Sequence, residues 1–259
     1  MYLAHMNWQE AEAALRTDNR IVIVPLGSTE QHGPIGPLGT DFIIPDHLAS
    51  CIEKRTDVLV VPTMPFGVAL HHIAFPGTID IGMEGLYIVM KGVVENLMRH
   101  GARKFVFLNG HGGNDPSLDK VGLEAFRAGA LCAQINWWAL APMLNPQWTT
   151  GHGDAQEVAM VRAIDPALVH DASYTPTRVN NMTANLENTH LGQVRFKNAA
   201  VKVIRDVRST VDSGGFGGLD SSQGTLEWGK EMLDAVVDYC VEFVDEFRTV
   251  DISKAHTHD

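Results

Sequence analysis

Residues 21–41 read IVIVPLGSTEQHGPIGPLGTD, and this stretch decides the fold. Four β-branched residues in a row, Ile21, Val22, Ile23 and Val24, predict a strand buried on both faces, since a half-exposed strand would alternate with polar residues. The chain turns polar after Pro25 and Gly27. Glu30 and His32 are two apart, so in an extended segment their side chains leave on the same side, and Asp41 follows after a Gly/Pro-rich loop. A carboxylate, an imidazole and a second carboxylate thus stand at the mouth of a buried strand. This mixed oxygen and nitrogen set suits zinc, manganese or a similar divalent ion better than calcium or magnesium. Such residues also occur together in surface loops that bind nothing, so the metal reading needs a second cluster.

Three more apolar runs, Val58–Pro62, Lys104–Leu108 and Leu131–Trp137, read as buried strands. Helical patterns alternate with them. A capping box at Asn7 and Glu10 opens a helix to Leu15, and Ile44–Cys51 continues a helix begun near Pro45, with proline in its first turn. Met83–Gly101 and Asp115–Ala130 follow, then VAMVRAI up to Asp165, and a long closing helix over Ser221–Phe247. The pattern predicts a three-layer α/β/α fold with a mostly parallel central sheet, one domain over residues 1–259.

The second cluster lies at the end of the third run, where Asn109-Gly-His-Gly-Gly-Asn114 sets His111 at a strand's C-terminal end, as Glu30 and His32 are set. Ligands bind at that edge of open parallel sheets. A third cluster, Gly151-His-Gly-Asp-Ala-Gln-Glu157, carries His152, and a helix starting at Gly153 or Asp154 would turn Glu157 back into the same mouth.

Other segments leave alternatives open. His71 and His72 lie in a long Gly/Pro-punctuated loop and read equally as site residues or as loop histidines. Trp137 and Trp138, at the end of the fourth strand, would point to opposite faces as a core and a surface residue, or form an aromatic wall with Trp148. Residues 167–211 have little periodicity and read as loops and short strands, an oligomer contact or a lid. Gly214-Gly-Phe-Gly-Gly218 lacks the Lys-Ser/Thr of a phosphate-binding loop. His256 and His258, at the very end, read as frayed.

With 45% hydrophobic and 20% charged residues the composition is that of a soluble enzyme. A net charge of -11 with no Lys/Arg cluster argues against nucleic acid as a partner and suits a small-molecule substrate. The scattered Cys51, Cys132 and Cys240 read as reduced core residues. No signal-peptide pattern and no apolar stretch of membrane-spanning length are present, which predicts a cytoplasmic protein without membrane association.

The LGSTEQHGPIGPLGTD block, the FPGT loop, NGHGGN and GHGDAQE, in this order from about Val22 to Glu157, resemble the creatininase (creatinine amidohydrolase) family. The resemblance implies two divalent ions per subunit, zinc or manganese or iron, with Glu30, His32, Asp41, His111 and Glu157 as ligands and Asp41 bridging. It implies catalytic roles for His152, as proton donor, and for Glu157. It also implies a homo-oligomer, a hexamer. The creatinine-cleaving members carry an acidic residue two places after the histidine of the NGH block, where this chain has Gly113. That difference shifts a ligand role to Glu157, implies a wider and less acidic pocket, and argues against creatinine itself.

The expected chemistry is attack by metal-bound hydroxide on a small cyclic amide or related carbonyl compound, with His152, its pKa near neutral, protonating the leaving group. Relatives of the family that hydrolyse formamides or open cyclic keto-polyols such as a keto-inositol supply the alternatives. A sugar- or nucleotide-binding module would need no metal. A dinucleotide-dependent oxidoreductase is disfavoured because no GxGxxG follows the first strand.

Overall fold

The computed structural model describes residues 1–255; His256 and His258 lie outside the described residues. At its centre are four parallel strands, β1 (Ile21–Leu26), β2 (Val58–Val60), β3 (Lys104–Asn109) and β4 (Leu131–Asn136), in the order β2-β1-β3-β4. Ile21 pairs with Val58 on one side and Lys104 on the other, and Lys104 pairs with Leu131.

The run of β-branched residues in β1 does what its pattern demands. Ile21 and Ile23 join one apolar cluster and Val22 and Val24 the other, so the strand is buried on both faces. The first cluster packs under α2 (Thr40–Glu53), α6 (Ala155–Ile164) and α8 (Leu226–Thr249); the second packs under α3 (Gly82–Arg99) and α4 (Asp115–Arg127). The result is the expected α/β fold, with helices on both faces of the sheet. At about 25 cal/mol per Å² of apolar surface removed from water, these two clusters are the main favourable contribution to folding. The capping box forms at α1 (Trp8–Leu15): Asn7 accepts from the Gln9 and Glu10 amides, and the Glu10 carboxylate accepts from the Asn7 amide. Among the described residues no helix is long and apolar enough to cross a membrane.

Three expectations need correction. The helix expected to begin near Pro45 begins at Thr40, and Pro45 lies inside it. Proline there cannot donate to the carbonyl of Asp41 one turn earlier. That carbonyl instead faces the main chain beyond β1 and β3: a Cβ at Gly27 would lie 2.0 Å from it, and one at Gly110 only 1.8 Å. The fourth strand stops at Asn136, because Trp137 already opens a helix, α5 (Trp137–Leu144). The long closing helix starts at Leu226, capped by the Thr225 side chain, after a separate short turn over Ser221–Gln223.

The weakly periodic region holds a small antiparallel sheet, β6 (Glu187–His190), β7 (Gln193–Phe196) and β8 (Ala199–Lys202), and a one-turn helix, α7 (Val207–Thr210). Before it, β5 (Gly151–His152) pairs with β9 (Phe216–Gly217), which ties the glycine-rich segment to the third cluster.

Candidate metal centre

All six residues named as candidates meet at the C-terminal edge of the sheet. Glu30 and His32 lie on the irregular segment after β1, Asp41 in the first turn of α2, His111 directly after β3, His152 on β5 and Glu157 in the first turn of α6. Asp154 caps α6, its Oδ1 accepting from the amides of Gln156 and Glu157, and this aims Glu157 inward.

The distances define two overlapping groups. Glu30, Asp41 and His111 offer ligand atoms all within 4.8 Å of one another, as do His32, Asp41 and Glu157. A third such group, Glu30, His32 and His152, shares two of these residues. The far side of each histidine is anchored by the main chain. His32 Nδ1 donates to the Glu30 carbonyl (3.0 Å), leaving Nε2 toward Asp41 Oδ1 (2.8 Å) and Glu157 Oε2 (3.7 Å). His111 Nε2 donates to the Val68 carbonyl (2.8 Å), leaving Nδ1 toward Asp41 Oδ2 (3.1 Å) and Glu30 Oε1 (3.3 Å). Anchoring of this kind fixes the tautomer and ring orientation of histidine ligands.

Both carboxylate oxygens of Glu30 and Oδ2 of Asp41 are buried without a hydrogen-bond partner among the described residues. Among the described residues no Lys or Arg lines the cavity. Buried carboxylates left in that state are costly unless a cation compensates them. The donor set, three carboxylates with two imidazoles, therefore fits divalent ions of the zinc and manganese type.

The protonation states in the metal-free site tell the same story. Burial would lower the pKa of His32, but the carboxylates of Asp41, Glu157 and Glu30 outweigh it and raise it to about 10. Burial likewise opposes the charged form of His111, and Glu30 and Asp41 hold it well above the ordinary value. Asp41 is depressed, against burial, by His32 and His111. Glu157 rises to about 7, mainly through burial, with Asp41 adding to it and His32 opposing. The expected near-neutral His152 is not found: burial, then His72 and His32, push its pKa well below the ordinary value, so the imidazole is neutral.

Two further residues belong to the cluster: His72, for which the sequence left site and loop readings open, and Gln31, which sequence reasoning missed. His72 Nε2 lies 3.3 Å from Glu30 Oε1, and burial lowers its pKa to about 4 despite that carboxylate. Gln31 touches both His72 and His152 through its side-chain nitrogen, at 2.8 and 2.9 Å. Strict alternation would send Gln31 away from Glu30 and His32, but the segment makes only isolated bridges, at Thr29 and His32, and is free to turn its side chain inward. His71, by contrast, is exposed at the rim.

The cavity over these residues measures about 190 Å³ and is walled by Val68, His71, His72, Trp138, His190 and Leu191, together with Gly110, Gly112 and Gly113. It is smaller than the roughly 300–1,000 Å³ of sites for drug-sized ligands. Because the tryptophan pair sits on α5, about 100° apart rather than on opposite strand faces, Trp138 enters the wall while Trp137 and Trp148 are buried in the core. The wider pocket expected at Gly113 is also corrected. A Cβ there would stand 2.2 Å from the Val68 carbonyl and 2.5 Å from His111 Nε2, so the space of the missing side chain is filled by the Val68 main chain and the His111 ring.

Comparisons with known proteins identify the family. The family model for creatinine amidohydrolase matches residues 4–244. The creatinine amidohydrolase of Pseudomonas putida is 25% identical over 195 residues, 65% of this chain and 74% of the relative. A mycofactocin precursor peptide peptidase of Mycobacterium tuberculosis is 29% identical over 239 residues, 86% of this chain and 84% of the relative. The solved structure "Creatininase Mn" shares the fold, with a TM-score of 0.73 at 22% identity over 96% of this chain and 99% of that one. A match running almost from end to end, on a parallel sheet whose ligand edge gathers the motif residues, places the chain in the creatininase (creatinine amidohydrolase) family of metal-dependent hydrolases.

Proposed function

We propose that the cavity hydrolyses a C–N bond of a small cyclic amide or a related carbonyl compound, with two divalent ions, zinc, manganese or iron, held by Glu30, His32, Asp41, His111 and Glu157. The observation that carries this reading is the set of three buried carboxylate oxygens without a hydrogen-bond partner, both of Glu30 and Oδ2 of Asp41, facing imidazole nitrogens in a cavity that no Lys or Arg lines among the described residues. Asp41 belongs to both ligand groups and is the bridging residue. When bound, the ions would polarise the substrate carbonyl and lower the pKa of water.

His152 supplies proton transfer. Its Nε2–H is committed to the Gln31 carbonyl at 2.7 Å, so the free Nδ1 lone pair, 3.8 Å from Glu30 Oε1, takes the proton that the attacking water gives up and delivers it to the departing nitrogen. Trp138 and the small volume select a compact, flat substrate end. The Gly113 backbone leaves no acidic side chain there, which disfavours creatinine. A second reading, cleavage of a peptide amide, is supported by the breadth of the match to the mycofactocin precursor peptide peptidase.

The protein acts in the cytoplasm as one domain and as a homo-oligomer, a hexamer, with the 167–211 region at the contact. In support, β8 is an exposed edge strand, and Phe196, Val201 and Ile204 stand exposed beside or near it. An unprotected edge of this kind invites pairing with another chain. The function is tested by loading the purified protein with zinc or manganese and assaying a cyclic amide, a formamide, a cyclic keto-polyol and a short peptide for new amine, formate or ring-opened product. Turnover confined to the keto-polyol would sink the amide reading.

A further inference from the structure

We propose that Gln31 is a positioning residue that fixes the tautomers of both His72 and His152, its side-chain amide donating to Nδ1 of His72 and its main-chain carbonyl accepting from Nε2 of His152. The inference rests on the hydrolase reading only for its kinetic arm.

The hydrogen-bond network allows one consistent assignment. The Gln31 amide cannot be flipped, because Oε1 accepts from the Gly33 amide at 3.0 Å while Nε2 donates to the Gly214 carbonyl at 3.2 Å. Its second N–H then has two candidate acceptors, His72 Nδ1 at 2.8 Å and His152 Nε2 at 2.9 Å. The His152 nitrogen lies still closer, 2.7 Å, to the main-chain carbonyl of Gln31, an acceptor that requires a hydrogen on Nε2. His152 is therefore the Nε2–H tautomer and cannot accept from the amide, which leaves His72 Nδ1 as the acceptor. His72 in turn must carry its hydrogen on Nε2, 3.3 Å from the orphan Oε1 of Glu30. One residue thus presents an N–H to Glu30 from His72 and a lone pair toward the cavity from His152.

The rings also lie close together, with centroids of His72 and His152 4.4 Å apart at a tilt of 42° and of His32 and His152 4.5 Å apart at a tilt of 39°. The glycine-rich segment, which binds no phosphate by its pattern, acquires a task here. Gly214 adopts φ 94° and turns its carbonyl to the Gln31 amide. A Cβ on it would stand 1.8 Å from Gln31 Oε1. Only glycine satisfies both the backbone angle and the space.

The test reads the imidazole nitrogens of ¹⁵N-histidine-labelled full-length protein by long-range ¹H–¹⁵N correlation, metal-free and zinc-loaded. His72 and His152 are both expected as Nε2–H tautomers. In Gln31→Glu the carboxylate can only accept, so the His72 Nδ1 should gain the hydrogen, while His152, bound to main chain, should keep its tautomer. Metal content should stay at the unmodified level, KM should hold, and kcat should fall roughly 10–100-fold, the usual cost of losing such a supporting contact. Gly214→Ala should lower kcat in the same way without altering either histidine or Gln31. A hydrogen on His72 Nδ1 in the unmodified protein, an unchanged His72 in Gln31→Glu, loss of metal from that variant, or full activity of Gly214→Ala would each overturn the proposal. Absence of any hydrolysis with correct tautomers would instead refute the hydrolase reading.

Discussion

Asp41 gives one carboxylate oxygen to each of two histidines: Oδ1 lies 2.8 Å from His32 Nε2, and Oδ2 lies 3.1 Å from His111 Nδ1. The two imidazoles come from different elements, one following β1 and one following β3, and Asp41 lies within 3.1 Å of both, while Glu30 stands further off in a group with each. Asp41→Ala is expected to lose both metal ions and all turnover, because it removes the side chain whose two oxygens each lie against a different imidazole. Elemental analysis of the purified variant checks this; retention of two ions would remove Asp41 from the bridge.

Glu157 contacts only the His32 half, at 3.7 Å. Glu157→Gln should therefore keep about one ion per subunit while abolishing turnover. Two tightly held ions together with full activity would transfer the ligand role to another carboxylate, Asp154 being nearest.

The metal-free site carries extra protons, and metal binding must expel them. At neutral pH His32, with its pKa raised to about 10, and His111, also raised, are protonated, whereas His72 at about 4 and the depressed His152 are not. Zinc uptake in weak buffer at neutral pH should release protons from His32 and His111, and affinity should rise with pH. Linkage gives the matching stability effect. A pKa raised above the unfolded value contributes stability below about 6.5 that is lost as pH climbs toward about 10. The melting temperature of the metal-free protein should fall across that window, and that of the zinc-loaded protein should not. A pH-stat recording no proton release would contradict the assigned states.

Gly113→Asp would install the acidic residue that the creatinine-cleaving relatives carry, but it should not create their site. The new Cβ would press on the Val68 carbonyl and break the bond that orients His111. A stability loss of about 1–3 kcal/mol is expected from the overpacking, together with a roughly 10–100-fold weaker metal affinity. Thermal melting and competitive zinc titration read both quantities; a variant as stable and as tight as the unmodified protein would show that the 66–69 loop yields easily.

Much of this was visible beforehand because the decisive signals are local. Four β-branched residues in a row favour a doubly buried strand, and Glu30, His32 and His111 follow β1 and β3 within a few residues. What escaped depends on distant packing. Pro45 reads as a helix start, yet tertiary contacts around the Asp41 carbonyl extend α2 by more than a turn before it. Trp137 reads as strand, since aromatic residues favour sheets, but the chain bends into α5 there. The neutrality of His152 comes from burial beside two other imidazoles, and no spacing rule reports burial. Gln31 was hidden by the alternation rule that exposed its two neighbours.

The approach of Gly27 and Gly110 to the Asp41 carbonyl has a consequence for how the protein could be re-engineered. The contact is main chain against main chain and contains no rotamer, so repacking the core cannot slide Asp41 along His111 without first parting two backbones. Trp138, His71 and the Leu191 turn, which wall the cavity, stand on segments outside that contact. The spacing of the proposed metal ligands and the shape of the mouth are thus separately adjustable. A library confined to the mouth could search new substrates while the metal-binding frame stays in register.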